Sequence, residues 1–234
     1  MPASTLPEVP SLPRPSIAAP PLPAAVAQVM PLWARYVSAA RILVSRCLMA
    51  GLALLLLFTE SSWIQAHPLP AALLVFTGLL LTGVAAAGRL WCSLHIAGYK
   101  DRRLVTEGPY SVCRHPLYFF SLLGAMGAAL ASGTMIISLL IMVVFLIGYQ
   151  PVMAAEEGKL RKLFGAEHDR YQARVPRLFP KWSLLRHAAA WSSNPAVFFK
   201  HATAVIWFPA AAGIVLLLPV LRSSLQLAVL FHLP

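Results

Sequence analysis

Long uncharged stretches alternate with short basic ones along this chain. Residues 68–88, bounded by His67 and Arg89, and residues 201–221, bounded by Lys200 and Arg222, are each 21 positions without a formal charge. A helix needs about 20 apolar residues to cross a bilayer, because hydrocarbon offers its backbone polar groups no outside partner. Each stretch predicts one spanning helix. Between Arg114 and Glu156 no formal charge occurs for 40 positions once His115 is set aside, enough for two crossings, and Ser132-Gly133-Thr134 supplies a turn near the middle. A helical hairpin is predicted there. Residues 37–58, with the run CLMAGLALLLLF, give a weaker fifth span in which Arg41 and Arg46 snorkel towards an interface. The expected fold is all-α, a polytopic membrane bundle of about five transmembrane helices.

Composition agrees and narrows the class. Of 234 residues, 59% are hydrophobic and 12% charged, with a mean hydropathy of +0.71, which excludes an ordinary soluble domain. The formal charge of +11 does not indicate nucleic acid here. The basic residues sit beside apolar runs: Arg89, Lys100, Arg102, Arg103 and Arg114 in one loop, and nine more Lys or Arg between residues 156 and 200. Both loops are expected on the cytoplasmic side, and the segment 59–68, with Glu60 and no Lys or Arg, outside. Four regions follow: a Pro-rich, disordered lead-in over 1–31 that lacks the marks of a signal peptide, helices over 32–92, a core over 93–186, and a last helix and tail over 187–234. Cys47, Cys92 and Cys113 show no disulfide or zinc spacing, and no metal site is expected.

Chemistry concentrates in three places. In LVTEGPYSVCRHPLYFF, residues 104–120, a polar turn runs straight into an apolar helix that Pro116 suits as a first-turn residue. The amides of that helix start face the cytoplasmic loop, Arg114 and His115 add donors, and Tyr110 and Tyr118 offer flat faces with a polar tip. Such a constellation could bind an adenosyl cofactor, although on physics alone an interfacial belt of anchors is the commoner arrangement. Glu156-Glu157 closes the predicted hairpin, either as a solvated helix end or as a ligand for a cofactor ammonium or ribose beside a brace for a loop arginine. In YQARVPR, Arg174 and Arg177 flank Val175-Pro176 and can clamp an anion or anchor the loop to lipid. From Glu156 to Val175, Leu160, Leu163 and Phe164 at helical spacing suggest an interfacial or pocket-covering helix, which Gly158 and Gly165 weaken. Gly124, Gly127, Ala128 and Ala131 form a small-residue face suited to helix packing.

In this order, GPYSVCRHPLY, the uncharged hairpin, Glu156-Glu157 and LFGAEHDRYQARVP resemble the isoprenylcysteine carboxyl methyltransferase family, with its bacterial relatives and the phospholipid N-methyltransferases, over roughly residues 85–180. The resemblance implies a methyltransferase whose S-adenosylmethionine lies in a pocket at the cytoplasmic side of the helices. Leu104, Val105, Tyr110, His115, Pro116, Leu117, Tyr118 and Glu156 would hold the cofactor. For such a reaction Glu157 or His115 would assist a proton transfer and Arg174 would stand near the acceptor, a lipophilic or lipidated molecule arriving through the bilayer. Two alternatives stay open: an NADPH-dependent membrane reductase of the sterol-reductase type, for which Arg102, Arg103, Arg174 and Arg177 supply a basic patch, and a non-catalytic scaffold or transporter. All depend on segments 104–118 and 156–177 meeting at one end of a bundle.

Overall fold

The computed structural model describes residues 51, 54–97, 103–187, 195–226 and 228–233. The lead-in over 1–31 and all of the 37–58 span but residues 51 and 54–58 lie outside the described residues. The architecture is mostly helical: α1 (Ser62–Ala66), α2 (Pro68–Ile96), α3 (Pro109–Val112), α4 (Pro116–Leu130), α5 (Met135–Phe164), α6 (Ala166–Arg174), α7 (Pro195–Thr203) and α8 (Trp207–Ser224). A parallel pair of three-residue strands, β1 (Thr59–Ser61) and β2 (Phe231–Leu233), was not anticipated in an all-α fold.

Three of these helices, α2, α5 and α8, are long and apolar enough to cross a membrane. The hairpin forms, but its first arm is not a full span. Its 15 residues reach about 22 Å at ~1.5 Å per residue, short of a hydrocarbon core about 30 Å thick. The uncharged count overstates this arm because the turn at residues 131–134, where Gly133 takes φ +75°, leaves it only Pro116–Leu130, while the longer share of the stretch goes to α5.

Elsewhere charge fails as a boundary in the opposite sense. Helix α2 continues past Arg89 to Ile96, and α5 continues past Glu156-Glu157 to Phe164, so the pair lies within a helix rather than at its end. Gly165, at φ +48°, breaks the chain there into α6. The last apolar stretch divides between α7 and α8, and α8 passes through Arg222. That arginine is buried, its Nη1 donating to the carbonyl of Thr59 at 2.6 Å, so the strand pair gives an internal charge its acceptor.

The tightest packing joins α2 to α4 through the small-residue face. A Cβ at Gly78 would lie 2.5 Å from the carbonyl oxygen of Gly127, and one at Gly127 2.6 Å from that of Gly78. Backbones therefore touch with no side chain between them, as membrane helices without a solvent-driven hydrophobic effect require. Leu56, Ala129, Ala131, Ile137, Ala212 and Val215 close one end of the bundle, near the 131–134 turn, and Cys92, Tyr110 and Phe120 fill the other. Leu73, Phe76 and Leu80 on α2 and Leu139, Val143 and Ile147 on α5 stay exposed, a surface suited to lipid.

Candidate active site

The end of the bundle where α2 finishes and α4 begins is built by a strap. Residues 176–186 run back along 108–115: the amides of Arg114 and His115 donate to the carbonyls of Pro176 and Arg177 at 2.8 and 3.0 Å, Lys181 donates to Val112 at 2.9 Å, and Gly108 donates to Arg186 at 2.8 Å. Ser111 ties both strands of this strap, its Oγ donating to the Gly108 carbonyl and accepting from the Arg186 amide. Gly108 sits at φ +58° under the His95 ring, so a side chain there would be both strained and blocked. Tyr171 of α6 donates through its hydroxyl to the Tyr110 carbonyl at 2.7 Å. Segments 104–118 and 156–177 thus meet at one end, as the sequence required.

At their meeting point one carboxylate oxygen gathers two arginines and a histidine. Glu157 Oε1 lies 3.1 Å from His115 Nε2, 3.2 Å from Arg177 Nε and 3.1 Å from Arg114 Nη1. The Arg114 contact is an ion pair without hydrogen-bond alignment, and Arg114 Nε is buried with no partner. Arg177 also donates to the side-chain oxygen of Gln150 at 2.7 Å. Glu156 is more open, with 40% of its side chain exposed and Oε2 at 3.7 Å from His115 Nδ1. An aromatic run leads away from His115: Tyr118 at 5.6 Å, Tyr149 a further 5.2 Å on, and Phe145 stacked on Tyr149 at 4.0 Å.

Burial sets the protonation of this region. It lowers the His115 pKa, with the hydrogen bond to Glu157 opposing it. It raises the phenol of Tyr110 well above its usual value, so that hydroxyl stays protonated, and its oxygen is buried with no partner. Burial also pushes the Cys113 thiol up to about 12, which removes it as a nucleophile at neutral pH.

Each sequence candidate has a definite place. His115, Glu156, Glu157 and Tyr118 share the cluster. Pro116 is buried at the first turn of α4, and the Leu117 carbonyl accepts from Arg89. Leu104 packs with Tyr171 and Val175, and Val105 packs against the Cys92, Tyr110 and Phe120 group, so both support the walls. Arg174 is exposed, with its Nε donating to the Arg170 carbonyl on its own helix, and Arg177 is the arginine that reaches Glu157. Gln150 and Tyr149 were missed, although Gln150 lies seven residues before Glu157 and therefore on the same helix face.

The sequence profile of the phospholipid methyltransferases matches residues 69–167, which take in α2, the whole hairpin and the Glu157 cluster except Arg177. The cobalt-zinc-cadmium resistance protein CzcN of Cupriavidus metallidurans is 37% identical over 65% of this chain and 69% of its own. The chain belongs to the phospholipid methyltransferase family. The nickel-cobalt-cadmium resistance protein NccN of Alcaligenes xylosoxydans xylosoxydans is 34% identical over 64% of this chain and 67% of its own. A more distant relative, the protein-S-isoprenylcysteine O-methyltransferase of Schizosaccharomyces pombe, is 32% identical over 35% of this chain and 34% of its own. No solved structure matches the chain. Family membership and the apolar helices together make this a membrane protein of methyltransferase type.

Proposed function

We propose that this protein transfers a methyl group from S-adenosylmethionine to a lipophilic acceptor, at a site on the cytoplasmic side of the membrane. The observation that carries this reading is the convergence of Arg114, His115 and Arg177 on Glu157 Oε1, which binds the helix start at residue 116 to the late part of α5. The residues around it fit the cofactor on one structural test. Tyr110 Oη and Arg114 Nε are buried donors lacking an acceptor, and the ribose and carboxylate oxygens of S-adenosylmethionine are acceptors.

Leu104, Val105, Tyr110, His115, Pro116, Leu117, Tyr118 and Glu156 form the cofactor wall in this reading. When bound, S-adenosylmethionine supplies an electrophilic methyl carbon on a sulfonium centre. The chain's part is alignment and exclusion of water. Tyr118 and Tyr149 present ring faces of the kind that attract a cation. Glu156, more open and facing His115, is the carboxylate suited to meet a ligand, whereas Glu157 is spent on Arg114, Arg177 and the His115 ring and acts as a positioning residue. For an amine or thiol acceptor, His115 held neutral by burial can take the proton. Arg174, exposed at the end of α6, is assigned to the acceptor's approach from the loop side.

Kinship with proteins named for metal resistance suggests a setting rather than an acceptor. We infer that any part in such resistance acts through methylation of a membrane component.

Calorimetric titration of detergent-purified protein tests the reading. S-adenosylmethionine should bind, and His115→Ala and Glu156→Gln should each weaken it at least tenfold, roughly 1.4 kcal/mol. NADPH should give no heat. Undiminished S-adenosylmethionine binding in both variants would reject the site assignment.

A further inference from the structure

At the end of the bundle opposite the candidate active site, β1, α1 and β2 border a cavity of about 440 Å³ lined by Glu60, Ser61, Ser62, Ala66 and His232. Methyl transfer has no use for it there. Its walls are fixed from behind. Arg222 of α8 holds the Thr59 carbonyl, Ser61 Oγ donates to the Gly133 carbonyl at 2.9 Å, and Ser62 Oγ donates to the Leu233 carbonyl at 3.2 Å. The strand pair is thereby tied to α8 on one side and to the hairpin turn on the other.

Glu60 and His232 are register partners in the parallel pair. Side chains alternate along a strand, and with Thr59 and Ser61 buried, Glu60 and its partner share the other face. Paired strands lie about 4.8 Å apart, so a carboxylate and an imidazole stand within reach of one small ligand. Neither side chain has a hydrogen bond or ion pair with another described residue, so the two do not close on each other. The lining is one-sided in its chemistry. The carboxylate only accepts, both serine hydroxyls have given their protons to carbonyls and keep lone pairs, and no Lys or Arg is among the lining residues. Acceptors without opposing cations suit a positive ion. Magnesium and calcium take oxygen ligands, whereas an imidazole beside a carboxylate suits zinc, cobalt or nickel. No third His, Cys, Asp or Glu stands with the pair among the described residues, so water completes the shell.

We propose that Glu60 and His232 form a binding site for a divalent transition-metal cation of the zinc, cobalt and nickel class, with the Ser61 and Ser62 oxygens and water as the remaining donors. The two anchoring residues come from β1 and β2, far apart along the chain, so no ligand spacing reveals the site in sequence. An ion held between them clasps β2 to the 59–62 segment, which links occupancy to stability. The site is independent of the methyltransferase reading.

Calorimetric titration of the full-length protein in detergent, freed of any affinity tag, with zinc, nickel and magnesium chlorides as probes, tests the site. Zinc should bind stoichiometrically and at least about tenfold more tightly than magnesium. Glu60→Gln and His232→Ala, both on the outward face of the strand pair, should each weaken zinc by about tenfold or more, whereas His187→Ala, at the strap end of the bundle, should stay within about twofold. Saturating zinc should raise the melting temperature of the wild type by about 3 °C or more and leave that of His232→Ala where it was. A wild type that binds no zinc overturns the proposal without any variant having to fold. Zinc binding that survives in both Glu60→Gln and His232→Ala places the ion elsewhere and overturns it as well. Magnesium held as tightly as zinc overturns the assignment to a transition metal.

Discussion

Glu157 holds the site together with a single oxygen atom. Glu157→Gln leaves Arg114 and Arg177 facing each other across a neutral amide, and because Arg177 is one-third exposed the cost is discounted from that of a fully buried pair to about 2 kcal/mol. Melting of the detergent-solubilised variant should fall by several degrees, with Glu156→Gln close to wild type. His115 adds a pH dependence. Its folded pKa lies below the ordinary 6.5, so as pH falls below 6.5 the unfolded imidazole takes its proton first, and stability present above 6.5 is lost as pH falls through the folded value. The melting temperature of wild type should drop between pH 7 and 5 more steeply than that of His115→Gln. At this scale the sequence was legible where a motif sets geometry. The turn 104–118 and the Glu pair could be found, but which of Arg174 and Arg177 faces inward depends on the bend at Val175-Pro176. There Val175 is buried and the strap turns back along residues 108–115.

At the level of elements, the α2 and α4 contact leaves no room for a side chain. Gly127→Val would drive its β-carbon into the Gly78 backbone, and the variant should give little monodisperse protein on size-exclusion chromatography. Gly148→Ala is the matched control, since nothing lies within 4 Å of that position, and an alanine in mid-helix should stabilise by about 0.5–1 kcal/mol. The uncharged stretches located α2, the hairpin and α8. Their ends were misread because Arg89 and Arg222 find internal partners, so a charge that looks like a boundary is folded inside. The strand pair had no sequence signal, with three residues on each side and a separation along the chain of about 170 positions.

For the whole molecule, α1 and the 131–134 turn lie at one end and the strap with α6 at the other, so the basic loops predict sidedness. In a chain carrying Cys47→Ser, with Cys92 and Cys113 buried, a membrane-impermeant maleimide should label Ala66→Cys in intact cells and Lys162→Cys only after permeabilisation. The shortness of α4 has a consequence of its own. This helix falls roughly 8 Å short of the hydrocarbon core, and a lipid bilayer meets such a step by thinning around it or by letting an acyl chain slip into the notch. Turnover in reconstituted vesicles should therefore follow the acyl length of the host phospholipid, faster in fourteen-carbon than in twenty-carbon membranes, making bilayer thickness a control on the enzyme.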